Sequence, residues 1–472
     1  MKLDTKKVIF VGLAFFLISI FWQAYDSIIP KILIDKFGYN QRDSGIIMAL
    51  DNVLALFLLP FFGHLSDRTN HKRGKRTPYI IVGTVIAAFA FIALSFSDNY
   101  QLKIIEEAGV VEMSEDMEAA LAPGEILSEA QYDQLRIAAW EATVASPFNR
   151  IVFILVLLVA LFAMSTFRSP AVALMPDVTV KPLRSKANAI INLLGAAAGV
   201  TAIVLMMVSG ADKGHYMSYS MVFIVVSIIM ILALTVFLIK VNEPKMVQQM
   251  KEDSIKFGVE ETVEESAVEK LPKEKLVSLI LILASIFLWF MGYNAVTTKF
   301  SDYAPKILDM GFTLPLLIAQ VAAIVAFIPV GIVATKIGRK KTILGGIIIL
   351  TVSFGSAVFL TPTSSFLMYV VLLLAGVGWA SINVNSYPMV VELSKGSNVG
   401  KYTGYYYTFS MSAQILTPIL SGILMDAFGR KVLFPYAAFF VAMAFITMIL
   451  VKHGDAKPVH VKSKLEYLDV ED

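Results

Sequence analysis

Three ionisable side chains stand inside long apolar runs of the chain, and they are the residues that could do chemistry there. Asp26 and Asp51 are carboxylates, and Arg168 is a guanidinium. A carboxyl group in apolar surroundings can take up and release a proton. A guanidinium is a fixed cation that holds hydroxyls or a carboxylate in a forked geometry. The three residues therefore predict a site that binds a polar solute and couples its movement to an ion.

Each of these charges also has a structural interpretation that the sequence leaves open. Arg168 could form a salt bridge between packed helices, and Asp51 could bond to Asn52 or to the backbone. Asp26 could touch a solute or face outer water. At a rise of about 1.5 Å per residue, Arg168 and Asp51 differ in depth by about 10 Å, so a direct pair does not follow from the sequence. Lys299, at the outer end of another run, is expected to snorkel to the surface.

Aromatic and amide side chains recur together in several of the same apolar runs. Sugars have apolar C–H faces and hydroxyl edges, so a sugar site combines aromatic rings with amide, carboxyl and guanidinium groups. Each residue could instead be a packing or interfacial residue. The predicted substrate-binding residues are Trp22, Gln23, Tyr25, Asp26, Arg168, Trp289, Tyr293, Asn294, Trp379, Asn383, Asn385 and Gln414.

The composition indicates what surrounds these residues. Of 472 residues, 57% are hydrophobic and 16% are charged, whereas soluble domains carry about 25% charged residues. A soluble fold cannot cover so much apolar surface, so we predict an all-α polytopic protein in a lipid bilayer. A net charge of +3 gives no general attraction to nucleic acid. The absence of cysteine and five scattered histidines predict neither a metal site nor a cofactor.

Gaps between charged residues predict twelve membrane-spanning helices, because about 20 apolar residues cross the bilayer core. The charge-free stretch 342–391 is too long for one helix, and the breaker Thr-Pro-Thr-Ser-Ser at 361–365 splits it. The remaining spans are 8–25, 44–63, 77–97, 151–176, 187–211, 216–239, 276–298, 310–335, 402–425 and 432–451. Basic residues flank alternate loops and both ends, which predicts cytoplasmic N- and C-termini.

Six spans on each side of a polar stretch predict two halves. The insert 98–150 carries eleven acidic and three basic residues and is predicted to lie outside as a lid, a spacer or a means of substrate capture. Ser128 and Gln131 predict a capping box and a surface helix there. The predicted domains are a six-helix bundle at 1–240, a cytoplasmic linker at 241–275, a second bundle at 276–455 and a cytoplasmic tail at 456–472.

A glycine-and-charge motif closes the second span and is echoed twice. It reads Gly63-x-x-x-Asp67-Arg68…Gly74-Lys75-Arg76, then Gly331-x-x-x-Thr335-Lys336-x-Gly338-Arg339, and on the outer side Gly422-x-x-x-Asp426. Such spacing is typical of three-helix inverted repeats within each half.

We expect this motif to form a cytoplasmic gate. Asp67 would accept hydrogen bonds from Arg184, from Lys186 or from a helix N-terminus, and Asp177 would engage Arg68 or Arg76. Thr335 replaces the acid in the second half, so its lock should be weaker. The predicted gate residues are Gly63, Asp67, Arg68, Gly74, Lys75, Arg76, Asp177, Arg184, Lys186, Gly331, Gly338, Arg339 and Glu392.

Twelve spans with this motif resemble the major facilitator superfamily. The longer loop with Asn70–Arg73, the stretch "FRSPAVALMPDV" at 167–178 with "RSKAN" at 184–188, and "WFMGYNAV" at 289–296 resemble its sucrose-transporter-like and glycoside–pentoside–hexuronide symporter branch. The resemblance implies two pseudo-symmetric six-helix bundles whose first, fourth, seventh and tenth spans line a cavity. Leu157, Ala55 and Leu59 stand where these symporters carry carboxylates, so ion coupling must use other residues.

The sequence therefore predicts a secondary active transporter and not an enzyme. It would move a sugar or glycoside, most simply a disaccharide, together with a proton. Transport would proceed by alternating access, and the protein would act as a monomer in the plasma membrane. Three alternatives remain open: a carrier of another solute such as a drug, nucleoside or organic acid, an uncoupled facilitator, and a transport-dead sensor or scaffold.

Overall fold

The computed structural model describes residues 3–122, 125–180, 183–212, 215–256, 272–393 and 399–455, without the side chains of 185, 186, 189 and 399–401. The chain in these ranges is helical, with short connections and no strand. The helices are α1 Thr5–Lys31, α2 Gln41–Arg68, α3 Thr77–Glu107, α4 Val110–Ala119, α5 Glu129–Ala145, α6 Pro147–Val178, α7 Arg184–Val208, α8 Ser220–Lys240, α9 Glu243–Lys256, α10 Lys273–Leu308, α11 Thr313–Ile337, α12 Arg339–Ala357, α13 Met368–Glu392, α14 Val399–Phe428 and α15 Leu433–Ile449.

The chain forms two compact units. The first comprises Met1–Asn40 and Leu50–Glu261, and the second comprises Gln41–Ala49 and Thr262–Asp472. The start of α2 therefore belongs to the second unit and its remainder to the first.

Twelve helices of the described ranges are long and apolar enough to cross a membrane, which confirms the twelve predicted spans. The break at 361–365 is also confirmed, since α12 ends at Ala357 and α13 begins at Met368.

Two helices extend beyond the predicted gaps between charges. The first span continues through a π turn at Ile32–Lys36, so Asp26 lies ten residues before its end rather than near it. Lys299 is buried within α10, and its Nζ donates to the carbonyl oxygen of Gln41 at 3.0 Å. The prediction that Lys299 snorkels is wrong, because partners inside the protein bind its ammonium group.

Close helix crossings determine the packing of each unit. In the first unit α1 packs on α7 and α3 on α6, and in the second unit α13 packs on α11 and α12. A Cβ atom on Gly83 would lie 2.7 Å from the carbonyl oxygen of Ala163, and one on Gly346 would lie 2.8 Å from that of Gly378. Small residues let membrane helices meet at backbone distance, so these crossings fix the helices that carry the candidate site.

The insert 98–150 is mostly helical in its described residues and belongs to the first unit. Ser128 Oγ accepts from the backbone N–H of Gln131, whose side chain accepts from the N–H of Ser128, so the predicted capping box is confirmed. Apolar side chains of the insert form a small core of their own, which contains Ile105, Val110, Leu127, Leu135 and Ala139.

The predicted linker and tail are only partly within the described residues. Helix α9 occupies the beginning of the stretch 241–275 and packs on α6. Residues 257–271 and the predicted tail 456–472 lie outside the described ranges.

Candidate functional site

Three helices of the first unit bring a charged cluster together, which consists of Asp26 on α1, Asp51 on α2 and Arg168 on α6. Asp51 interacts electrostatically with Asp26 and with Arg168, and Asp26 also interacts with Arg168. The guanidinium carbon of Arg168 lies 5.6 Å from the centre of the Trp22 ring, which is a cation–π distance. The sequence did not decide whether Asp51 and Arg168 lie close together, and the structure places them in one cluster.

The side chains of the charged cluster are half-buried. Asn52 Nδ2 donates to Asp51 Oδ1 at 2.7 Å, so the structural bond considered for Asp51 is present. Trp22 Nε1 and Tyr25 OH are buried without a hydrogen-bond partner among the described residues. An unsatisfied buried donor is costly, so a polar solute at the cluster could satisfy these atoms.

The second unit carries an aromatic platform that consists of Phe290, Tyr293 and Trp379. The rings of Tyr293 and Trp379 are stacked, with centroids 3.8 Å apart and planes 7° apart. Phe290 meets Trp379 edge-on at 5.2 Å. Next to Tyr293 in sequence, Asn294 Nδ2 is buried without a hydrogen-bond partner among the described residues. A half-buried aromatic surface suits the apolar face of a sugar ring, and an amide donor suits its hydroxyl edge.

Trp289 was predicted to bind substrate, but it is fully buried in the packing of the second unit. The helical period explains this burial. Trp289 and Gly292 are three residues apart and share one face of α10, and Gly292 packs against Ala437 and Val441 of α15. Phe290 and Tyr293 share the neighbouring face, which meets Trp379 of α13.

Three predicted amide side chains are bonded within their own helices. Gln23 Nε2 donates to Ser27 Oγ at 3.3 Å. Asn385 Nδ2 donates to the carbonyl oxygen of Ser381 at 2.9 Å, and Gln414 Nε2 donates to that of Ser410 at 3.3 Å. Asn385 is also buried and so belongs to the packed interior. Asn383 is exposed.

Arg76 is the centre of the predicted gate in the first half, and we call Arg76, Asp67 and Asp177 the Arg76 hub. Arg76 Nε donates to Asp177 Oδ2 at 2.8 Å, and Nη2 forms an ion pair with Asp67. Nη1 donates to Ser66 Oγ at 2.5 Å. Burial alone would lower the pKa of Arg76, but the bonds to Asp177 and Asp67 raise it, so the guanidinium stays charged.

The hub differs in part from the expected pairing. The partner of Asp67 is Arg76, where Arg184 or Lys186 was expected. Arg184 donates to the carbonyl oxygens of Thr179 and Pro176, and the side chain of Lys186 lies outside the described residues. Asp177 does engage Arg76, one of its two expected partners.

The other motif residues of this half surround the hub. A Cβ atom on Gly63 would lie 2.7 Å from Ser169 Oγ, so α2 and α6 approach closely there. Arg68 and Lys75 are exposed.

Glu243, at the start of α9, completes this region and was not predicted. Its carboxylate accepts from the backbone N–H groups of Lys75, Arg76 and Thr77 at 2.6, 3.0 and 2.8 Å, and from Thr77 Oγ1 at 2.7 Å. It therefore caps the N-terminus of α3 from another helix. Gly74 has φ 106°, a backbone conformation that glycine allows beside this carboxylate. Nothing in the local sequence distinguishes Glu243 from other acids of α9.

The second half repeats this arrangement in a looser form. Asp455 Oδ1 accepts from the backbone N–H of Arg339 at 2.7 Å and of Lys340 at 3.3 Å. Arg339 Nη1 lies 3.4 Å from Glu392 Oε2, and Gly338 has φ 94°. A Cβ atom on Gly331 would meet no heavy atom within 4 Å, so Gly331 does not mark a close helix contact as Gly63 does.

No group of His, Asp and Glu in the described ranges could hold a metal ion. The polar groups that could contact a solute are the charged cluster, the unsatisfied donors Trp22 Nε1 and Tyr25 OH, and Asn294 Nδ2. Such groups suit a small polar solute with an apolar face.

Comparison with known proteins agrees with the twelve-helix architecture. A crystal structure of a bacterial homologue of the iron transporter ferroportin, in an inward-facing state, superposes with a TM-score of 0.66 at 14% identity, over 95% of this chain and 99% of that chain. The xylose transporter XylE from E. coli, in an inward open conformation, gives 0.61 at 15% identity, over 98% of each chain. At these identities the likeness concerns the fold.

A curated relative covers a shorter part of the chain. The MFS-type transporter ppzB of Metarhizium rileyi (strain RCEF 4871) is 29% identical over 122 residues, which are 26% of this chain and 25% of that protein. The chain thus matches about a quarter of the length of this relative. The family described as Major Facilitator Superfamily matches residues 3–111, 136–328 and 312–466, which is most of the sequence. The chain therefore belongs to the Major Facilitator Superfamily, a family of multi-pass membrane transporters rather than enzymes.

Proposed function

We propose that the chain moves a glycoside of disaccharide size together with a proton, by alternating access. The observation that carries the proposal is the charged cluster, in which two carboxylates and one guanidinium share a half-buried region of the first unit. Transporters of the same fold carry different solutes, so the solute must be inferred from the side chains of the site.

Proton coupling is supported by the charge balance of the cluster. Two ionised carboxylates beside Arg168 would leave one excess negative charge, which is expensive at membrane depth. Binding one proton to Asp26 or Asp51 removes that excess. Release of the proton on the other side of the membrane would then reset the cluster for the next cycle.

Sugar recognition is supported by donors of the first unit and by aromatic rings of the second. Arg168, Trp22 Nε1 and Tyr25 OH offer donors to hydroxyl edges in the first unit. The stacked pair Tyr293 and Trp379 offers an aromatic face to sugar C–H groups in the second. The motifs at 167–178 and 184–188, which resemble the sucrose-transporter-like and glycoside–pentoside–hexuronide branch, agree with this cargo. We further propose a monomer in the plasma membrane with both termini in the cytoplasm, because basic residues flank the loops on that side.

Flux measurements test this function directly. Purified protein in proteoliposomes should accumulate labelled disaccharides when an inward proton gradient is applied, and accumulation should stop when a protonophore dissipates it. Uptake of a nucleoside or organic acid without any sugar uptake would contradict the cargo. Sugar uptake that ignores the gradient would contradict only the coupling.

Two carboxylate variants separate coupling from binding. Asp51→Asn should retain exchange of sugar down its gradient but lose accumulation driven by protons, because the amide cannot take up a proton. Asp43→Asn is the matched control on the same helix, since Asp43 pairs with Arg42 at an exposed position. Accumulation by Asp51→Asn equal to that of Asp43→Asn would remove Asp51 from the mechanism.

A further inference from the structure

The lipid-facing side of α3 indicates where the membrane ends on the side of the insert 98–150. Exposed apolar side chains share one face of this helix, at Val82, Ile86, Phe89, Phe96 and Tyr100. From Val82 to Tyr100 the helix rises about 27 Å, which is close to the bilayer core of about 30 Å. The first exposed charge that follows on α3 is Lys103, which is 67% exposed. Tyr100 therefore lies at the boundary between lipid and water, where tyrosine is favoured.

Hydrogen bonds place the end of α5 and the start of α6 at the same depth. Gln101 Nε2, next to Tyr100 on α3, donates to Thr143 Oγ1 of α5 at 2.7 Å. Asn149 Nδ2 of α6 donates to Gln101 Oε1 at 3.0 Å, and these three polar side chains are buried. The connection between α5 and α6 at Ser146 therefore lies at the level of Tyr100.

Exposed apolar residues continue across this connection. On α6 they form one stripe, which consists of Phe148, Ile151, Leu155, Val159 and Phe162. Phe148 at the start of the stripe is 75% exposed, and Val144 and Ile137 on α5 are also exposed. The other face of α5 is buried in the first unit. The lipid-facing surface of α6 thus extends onto the last turns of α5, as in helices that lie in the interfacial layer of a bilayer.

One cation of the insert lies at this boundary without a carboxylate partner. The insert carries eleven acidic and three basic residues. Lys103 and Arg136 each pair with an acid of their own helix. Arg150 forms no ion pair with a carboxylate among the described residues, and its guanidinium carbon lies 5.3 Å from the centre of the Trp140 ring. Even in so acidic an insert, the anion that neutralises Arg150 must therefore come from outside these residues.

Trp140 holds this guanidinium at the depth of lipid head groups. Both side chains are half-buried, and Tyr39 contacts the Trp140 ring with centroids 5.3 Å apart. Tryptophan is favoured at the membrane interface, where long basic side chains extend toward the head groups. A cation–π contact does not consume the N–H donors of the guanidinium. Those donors match a phosphate, which they can bind through two parallel hydrogen bonds.

We propose that Arg150 and Trp140 bind the phosphate of a phospholipid in the leaflet on the side of the insert, with the acyl chains of this lipid against Val144 and Phe148. The acids of the insert repel an anionic head group elsewhere, so the phosphate is directed to Arg150. The end of α5 thereby attaches the insert to the membrane surface. The proposal depends on the chain spanning a bilayer, and it is independent of the solute and of proton coupling.

Fluorescence quenching by brominated lipids tests whether the end of α5 touches lipid. The chain contains no cysteine, so Val144→Cys introduces one thiol, which is labelled with bimane. In nanodiscs whose acyl chains carry bromine, this label should lose about half of its fluorescence, because it lies against the chains. Glu107→Cys is the control, since Glu107 is exposed and lies about 10 Å beyond Tyr100 along α3. Bimane at position 107 should remain unquenched.

Competition between two lipids tests the phosphate. The nanodiscs contain brominated phosphatidylglycerol and a galactolipid that carries neither bromine nor phosphate. Quenching at position 144 should correspond to an enrichment of phosphatidylglycerol of about fivefold over its bulk fraction, and Arg150→Gln should abolish this enrichment. Lys103→Gln removes an exposed cation of the same insert and should change the enrichment by less than about twofold.

A further variant covers the case in which Arg150→Gln does not fold. Trp140→Leu removes the ring that holds the guanidinium and should lower the enrichment by about half. Bimane at position 144 that remains unquenched in brominated nanodiscs would overturn the contact of α5 with lipid. An enrichment that is equal in the unmodified chain and in the folded variants at positions 150 and 140 would overturn the phosphate site.

Discussion

Replacement of Glu243 by alanine should destabilise the first unit, because this buried carboxylate is the cap of α3. The change removes the acceptor of three backbone N–H groups and of Thr77 Oγ1. The N–H groups of Arg76 and Thr77 are buried, whereas Lys75 is exposed and can turn to water. Two buried donors without a partner cost about 1.5 kcal/mol each, or about 3 kcal/mol together.

Thermal unfolding in detergent measures this loss. For a unit of about 250 residues, 1 kcal/mol corresponds to roughly 2–4 °C, so the apparent Tm should fall by roughly 6–12 °C. Glu243→Gln should give a smaller fall, since the amide oxygen still accepts while the charge is lost.

Two matched variants serve as controls for the Tm of Glu243→Ala. Glu252→Ala on the same helix should leave the Tm within about 2 °C, because Glu252 is exposed and accepts only from the side chain of Gln248 in the described contacts. Asp455→Ala removes the equivalent, exposed cap of α12 and should cost about 1 kcal/mol. A Tm of Glu243→Ala within about 2 °C of the unmodified protein would refute the reasoning that this carboxylate is the cap of α3.

Three further substitutions test the helix contacts. Arg76→Lys should lower stability by about 2 kcal/mol in chemical denaturation, because one ammonium group cannot replace the forked guanidinium, while exposed Arg68→Lys should have no measurable effect. Ser128→Ala should remove about 1 kcal/mol from the start of α5 and speed local hydrogen exchange there; unchanged exchange would mean that the capping box does not hold this helix end. Gly346→Val should cost about 1–3 kcal/mol in the same denaturation assay, since any side chain meets α13 at once, whereas Gly345→Val faces open space and serves as its control.

The sequence by itself determined the membrane class, the twelve spans and the capping box at Ser128. These features depend on local quantities: the length of an apolar run, the position of a charge, and the fit of Ser128 and Gln131 to one helix start. The spacing Gly63-x-x-x-Asp67 also pointed to a charged contact at the end of α2, although it gave the wrong partner for Asp67.

Only the tertiary structure decided which helix face meets which neighbour. Trp289 and Tyr293 lie four residues apart on the same helix, yet Trp289 is in the core and Tyr293 stacks on Trp379. That difference depends on which helices pack on either side of α10, and the local sequence does not specify these neighbours.

The polar partners that are distant in sequence were likewise decided by the fold. Glu243 lies 167 residues from Arg76 along the chain, and Gln41 lies 385 residues from Asp426. A carboxylate can accept a hydrogen bond from any N–H group that the fold brings to it. The residues adjacent to it in sequence therefore do not indicate which group that is. The physical reason is that helix ends and buried charges must find partners somewhere, and only the assembled helices determine where.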